Sequence, residues 1–375
     1  MPVGPADDNG TVLYYEDSGA PEGSTDYVTL VLVHGTMFHG AIFRRMITFA
    51  SASNVRLVLI NLRDYPGSTR YSPTELDALR SAEVDVQAAA IQERGLELAA
   101  FVRWFIETEQ IPPISDGPGP DTKPAGGFVL LGWSSGNCQT VPVLAHADKV
   151  PVETRRLLDS YFRSLVFYDT SRHAMGAQRL EGLHSPFRDT TLTEKQKMAA
   201  FPAWVSSYFT QADIGADEDA DSPGFAEKLR QRKPLHEGQA DVDAKWTPTV
   251  QRMTPEVLGE VSDFDVLERS QSLINEFNLA VYGENVRRAL FECPVEEEGG
   301  ETKVIWPRVR AQVVWCDMST SDGVFGANKI KAIAREWREK QQGGRTVEFY
   351  KLEKANHFLH WEEPERLVKF LASIV

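Results

Sequence analysis

The stretch Gly132-Trp133-Ser134-Ser135-Gly136 constrains this chain more than any other. An apolar run, Phe128-Val129-Leu130-Leu131, leads into it, and a helical pattern follows. Strand, G-x-S-x-G, helix in that order places the serine on a sharp turn with its hydroxyl exposed at the end of a sheet. The flanking positions must be glycine because side chains there would collide with the neighbouring strand and helix. A five-residue match of this kind arises by chance in roughly one chain in ten of this length, so the reading depends on its surroundings.

Three further features supply them. Leu30-Val31-Leu32-Val33 is an apolar strand that ends in His34-Gly35. Leu57-Val58-Leu59-Ile60 runs into the turn-rich Asn61-Leu62-Arg63-Asp64-Tyr65-Pro66-Gly67-Ser68. Near the C-terminus, Asn356-His357-Phe358 follows the strand-like Thr346–Leu352, and a helix over about Pro364–Ser373 closes the chain. This series of motifs resembles the α/β-hydrolase superfamily over almost the whole chain. The resemblance implies an α/β fold: a mostly parallel sheet flanked by helices, with the serine at a nucleophile elbow.

The strand–helix rhythm agrees with a parallel sheet covered on both faces. Strands are expected at Thr11–Tyr15, Val28–Val33, Leu165–Tyr168 and Ala311–Cys316. Helices are expected at Met37–Ala50, within Leu76–Glu109, at Thr193–Tyr208, Pro255–Glu260, Leu267–Phe291 and Asn328–Gln341. The rhythm fails after Asp169-Thr170 for more than a hundred residues. That interruption reads as a mainly helical cap, 173–290, inserted into a core of 1–172 and 291–375. Such an insert tends to cover the carboxyl ends of the strands, where Ser134 belongs. Ile111–Gly127 and the acidic Gly215–Asp221 read as exposed loops and linkers, and Arg230–Lys245 is polar.

Composition narrows the partners. A net charge of -14 argues against nucleic acid and against an anionic membrane surface. The three cysteines, Cys138, Cys293 and Cys316, are far apart and form no C-x-x-C, so neither a disulfide framework nor a zinc site is implied. No apolar run approaches the ~20 residues of a membrane helix, and Met1–Asn9 lacks the basic and apolar regions of a signal peptide. A cytoplasmic protein is expected. No P-loop, G-x-G-x-x-G after a strand, or H-E-x-x-H occurs, so no metal or nucleotide cofactor is expected.

A serine hydroxyl is a poor nucleophile near pH 7 and needs a base, which needs an orienting partner. Ser134 reads as the nucleophile, at the start of a helix whose dipole favours developing negative charge. The family carries its base after the last strand, and the Asn-His-Phe pattern with Glu363-Pro364-Glu365 beyond it points to His357; His360 reads as structural or pocket-lining. The acid leaves alternatives. Where many relatives carry it, after the penultimate strand, this chain has Cys316 in the place of a glycine and Ser319 in the place of the acid, with Asp317 and Asp322 off register. Other relatives carry it after the sixth strand, where Asp169 stands, and Asp169 is favoured over Asp317 or Asp322. The oxyanion formed by attack needs fixed N–H donors. Ser135 is expected to give one and Thr36 or Met37 the other, with the Thr36 hydroxyl available as a third; His34 reads as structural. Trp133, Trp204 and Tyr208 are candidates to line an apolar substrate pocket, against the plainer reading that each is core.

The resemblance implies a cofactor-independent serine hydrolase cleaving an ester or lactone of a small hydrophobic substrate. Rival readings are a carbon–carbon bond hydrolase on the same three residues, an acyltransferase, and a ligand-binding protein that kept the fold.

Overall fold

The computed structural model describes residues 2–116, 124–215, 218–237, 243–340 and 343–375. Parts of the loops expected at 111–127 and 215–221 and of the polar stretch 230–245 therefore lie outside the described residues, as does the end of the helix expected to reach Gln341.

The strands, in chain order, are β1 (Val3–Pro5), β2 (Val12–Asp17), β3 (Val28–Val33), β4 (Val55–Ile60), β5 (Phe128–Trp133), β6 (Phe162–Tyr168), β7 (Val295–Glu298), β8 (Glu301–Val304), β9 (Arg310–Cys316) and β10 (Val347–Leu352). Eight form one sheet in the order β1-β2-β4-β3-β5-β6-β9-β10. β1 and β2 pair antiparallel, as do β2 and β4. From β4 to β10 every pairing is parallel. β3, β5, β6 and β9 are buried nearly throughout, because helices cover both faces of a parallel sheet. That burial is why these strands read as continuous apolar runs rather than alternating ones.

The helices split into two packing layers. Val84–Glu109 and Asn137–Ala145 lie on one face, with Phe101, Phe105, Val141 and Leu144 in its core. Arg44–Ala50 and Pro364–Ile374 lie on the other, with Met46, Leu367, Val368 and Leu371. Gly95 sets the contact between the first two helices. A Cβ on it would stand 2.7 Å from Pro142 backbone and side-chain carbons. A larger residue would push the long helix away from the one that follows Ser134.

Several elements depart from expectation. The helix predicted over Met37–Ala50 starts only at Gly40, with a 3₁₀ turn capped by His39. Residues 37–39 stay out of it because their backbone bonds the segment between β6 and β7: Asp263 N–H donates to Met37 O (2.8 Å) and His39 N–H to Val261 O (3.1 Å). The helix predicted from Asn328 starts at Ser321, capped by the Thr320 hydroxyl, which places Asp322 in its first turn. Leu267–Phe291 is not one helix: it is interrupted at 276–278, between Ser272–Asn275 and Leu279–Arg287, and has π-helical turns at Leu267–Gln271 and Arg288–Glu292. β1 and the β7–β8 hairpin, which pairs with no strand of the main sheet, were not legible as strands.

Between β6 and β7 the chain runs through Glu194–Val205, Pro223–Gln231, Pro255–Val261 and Leu279–Arg287, all helical. This segment bonds three loops at the carboxyl ends of the strands. Besides the loop after β3, it reaches the loop after β9 through Phe209 N–H to Met318 O and Ala212 N–H to Asp317 O, both 2.9 Å. It meets the loop after β10 where Asn356 Nδ2 donates to Ser206 O (2.8 Å) and to Thr249 Oγ1 (2.9 Å). Among the described residues no helix is long and apolar enough to cross a membrane.

Candidate active site

Ser134 sits at the carboxyl end of β5 with φ 55°, a left-handed conformation that costs a non-glycine residue of order 1–3 kcal/mol. The surroundings enforce it. A Cβ on Gly132 would stand 2.5 Å from Thr140 Oγ1, and one on Gly136 would stand 2.5 Å from the His34 carbonyl oxygen. On the opposite wall, a Cβ on Gly35 would come within 2.8 Å of Ser134 Cβ and 3.4 Å of its Oγ. The turn is also tied from below, as Asn137 Nδ2 donates to Gly132 O (2.8 Å) and Ser134 O (2.9 Å).

His357 follows β10 and is buried. Its Nδ1 lies 2.5 Å from Asp169 Oδ2. Asp169 directly follows β6, is wholly buried, and has φ 41°. Two further donors reach its carboxylate: Cys316 N–H to Oδ1 (2.9 Å) and Ser319 Oγ–H to Oδ2 (2.5 Å). The carboxylate accepts, so Nδ1 carries the proton and Nε2 is left as an acceptor. On the other side of the imidazole, Trp133 Nε1–H donates to His357 O (3.0 Å) and its ring lies 4.9 Å from the imidazole.

The other two carboxylates considered for the acid do not reach His357. Asp317 accepts from Gln211 Nε2 (2.5 Å) and Ala355 N–H (3.3 Å), and burial raises its pKa. Asp322 pairs with Arg172 (3.3 Å) and Arg188 (3.5 Å). Ser319, at the position where the sequence reading expected an acid, instead bonds the Asp169 carboxylate.

The loop after β3 stands beside the elbow. Thr36 N–H has no acceptor among the described residues, and Ser135 N–H lies in the first turn after Ser134, where amides lack intrahelical partners. Met37 is buried with φ 73°, its backbone against the Tyr65 phenol. His34 is structural in its contacts. Burial lowers its pKa to about 3, so it is neutral; Nε2 accepts from Leu62 N–H (3.0 Å), leaving Nδ1–H for Gly35 O (3.0 Å). Burial likewise holds His360 well below its usual value; its ring packs 4.4 Å from that of Trp133.

Of the candidate pocket residues, Trp133 lies in the core, packed on Phe38, Phe43 and Phe358, and its contacts are those of a wall behind His357. Tyr208 is buried against Trp246. Trp204 is half-buried and donates to His184 O (3.2 Å). Cys138 is buried, its thiol pushed up to about 12. A groove of about 1210 Å³ along the helix Val84–Glu109, lined by Asp7, Arg94 and Trp104, contains none of the candidate catalytic residues.

The sheet order defines a fold class, and the comparisons agree. The chain belongs to the alpha/beta hydrolase family, whose model matches residues 30–370. Among solved structures it is similar to the 2-hydroxy-6-oxo-6-phenylhexa-2,4-dienoate hydrolase of Rhodococcus sp. strain RHA1, with 11% identity, TM-score 0.52, and 99% of this chain and 96% of that one covered. It is also similar to a lipase-esterase related protein of Clostridium acetobutylicum (12% identity, TM-score 0.47, 97% and 99% covered) and to a putative aryl esterase of Burkholderia cenocepacia (16%, 0.43, 99% and 96%). At such identities the likeness concerns the fold. No curated protein matches the sequence.

Proposed function

We propose that this hydrolase cleaves an ester or lactone bond of a small hydrophobic substrate through Ser134, His357 and Asp169. The observation that carries the reading is the buried Asp169–His357 contact, which leaves His357 Nε2 free to accept a proton. In this reading Nε2 takes the Ser134 proton as Oγ attacks the carbonyl carbon. The amides of Thr36 and Ser135 hold the oxyanion. The C–O bond breaks as His357 returns the proton to the leaving oxygen, and a water deprotonated by His357 then releases the acyl group. The segment between β6 and β7 serves as a cap that supplies apolar walls, Trp204 among them.

Intact-mass labelling with a fluorophosphonate tests this. The native chain is expected to gain one adduct, lost in Ser134→Ala and slowed by ~10³-fold or more in His357→Ala. A native chain that stays unlabelled by both a large and a small probe would replace the enzyme with the ligand-binding reading. On a labelled chain, a panel of esters and lactones set against diketones separates ester cleavage from carbon–carbon cleavage.

A further inference from the structure

One polar chain joins the insert to the elbow. Asn275 Nδ2–H donates to Thr36 Oγ1 (2.9 Å), and Thr36 Oγ1 lies 2.7 Å from Ser135 Oγ. Behind Asn275, Gln271 Nε2–H donates to its Oδ1 (3.2 Å), which fixes which end of the amide faces Thr36.

Hydroxyl accounting decides the direction of the Thr36–Ser135 bond. Each hydroxyl has one proton and two lone pairs. Ser135 is 2% exposed, and its Oγ meets one polar atom among the described residues, Oγ1 of Thr36. A buried O–H without an acceptor costs about 1–3 kcal/mol, so the Ser135 proton goes to Thr36. Asn275 and Ser135 then fill both lone pairs of Thr36. Thr36 is half-buried and follows Gly35, where a Cβ would meet Ser134 Cβ at 2.8 Å, and its own proton is left without an acceptor among the described residues.

We propose that Asn275 is a positioning residue: by occupying an acceptor site of Thr36 it turns that hydroxyl into a dedicated donor to the oxyanion. This rests on the hydrolase reading above. The insert thereby contributes to transition-state stabilisation without touching the reacting atoms. It also gives Thr36 a task that valine, of the same shape, cannot perform.

The test is the phosphonylation of Ser134 by a small fluorophosphonate, resolved into a maximal rate and a half-saturating concentration, because the phosphonyl oxygen occupies the oxyanion position. Thr36→Val is expected to lower the maximal rate ~100-fold, the scale of one lost oxyanion donor, and Thr36→Ser to retain it. Asn275→Ala is expected to lower it ~tenfold with little change in half-saturation. Asn275→Asp keeps the packing but replaces the donor with an acceptor that draws the Thr36 proton away, and is expected to match Thr36→Val. In a Thr36→Val background, Asn275→Ala is expected to add less than ~twofold, since the two act as one unit. A native rate in Asn275→Asp, a loss that appears only in half-saturation, or an undiminished second loss in the double variant overturns the proposal while leaving the serine hydrolase standing. A native protein that fails to phosphonylate at all overturns the reading beneath it.

Discussion

Asp169 Oδ2 and His357 Nδ1 are 2.5 Å apart across the full width of β9, since Asp169 follows β6 and His357 follows β10. A carboxylate so placed fixes the imidazole tautomer and, in the proposed mechanism, would steady the imidazolium formed on proton transfer from Ser134. Asp169→Asn keeps the shape but presents an amide to Nδ1. The expected result is a ~10⁴-fold fall in turnover. Asp317→Asn, which alters a carboxylate bonded to Gln211 and Ala355, is expected to react with a fluorophosphonate at close to the native rate. Equal losses in both variants would dissolve the assignment.

The loop after β9 keeps the place of an acid without its charge. Ser319 Oγ lies 3.4 Å from His357 Nδ1, and a carboxylate on the same backbone extends one bond further. The Ser319 carbonyl is held by Arg232 Nη2 at 2.8 Å, which fixes the loop. Ser319→Asp in an Asp169→Ser background is therefore expected to recover at least ~tenfold of the activity lost in Asp169→Ser alone, because a relocated carboxylate can orient the same nitrogen. Single-turnover acylation with a chromogenic ester reads this. No recovery in a folded double variant would mean that the address at 319 no longer faces the base.

What could be read from the sequence follows from how local each signal is. β3, β5, β6 and β9 stood out because burial on both faces makes continuous apolar runs, and the elbow because its turn demands glycines at fixed spacing. β1 is three residues long in a polar segment, and β7–β8 is a charged hairpin, so neither carries an apolar pattern. Choosing among Asp169, Asp317 and Asp322 needed the third dimension, since which carboxylate meets His357 depends on β9 lying between β6 and β10. Trp133 was placed beside the serine by sequence yet packs behind His357, because successive side chains of β5 alternate faces. Asn275 and Arg232 carried no signal for these roles: helical periodicity can place a residue on a helix face but not name a partner 239 or 87 residues away.

The glycines around Ser134 separate stability from chemistry. A Cβ on Gly136 meets backbone oxygens of His34 and Val33 at 2.5 and 2.7 Å, which cannot move without shifting β3. Gly136→Ala is expected to cost at least ~1–3 kcal/mol of overpacking, seen as a lower urea midpoint. A Cβ on Gly35 meets Ser134 itself. Gly35→Ala is expected to displace the nucleophile and reduce acylation ~100-fold or more, the scale of a 1 Å misplacement. If Gly35→Ala acylates at the native rate, the two loops are not in contact as described.

His34 ties acid sensitivity to the same loops. Burial lowers its pKa from 6.5 to about 3, so between those values the unfolded chain binds a proton that the folded chain refuses. The stability His34 contributes is fully present above pH 6.5 and is lost as the pH falls toward 3, with a slope of about 1.4 kcal/mol per pH unit for a single group. His39, lowered to about 4, and His173, lowered to about 3, both by burial, act in the same direction. Urea unfolding at pH 7.5 and pH 5.0 is expected to show a marked loss of stability at the lower pH. His34→Gln, whose carbonyl oxygen can still take the Leu62 N–H, is expected to be less stable than native at pH 7.5 but to lose less between the two pH values. Parallel pH profiles for the native and His34→Gln proteins would show that His34 is not the neutral buried acceptor beneath the Gly35 turn.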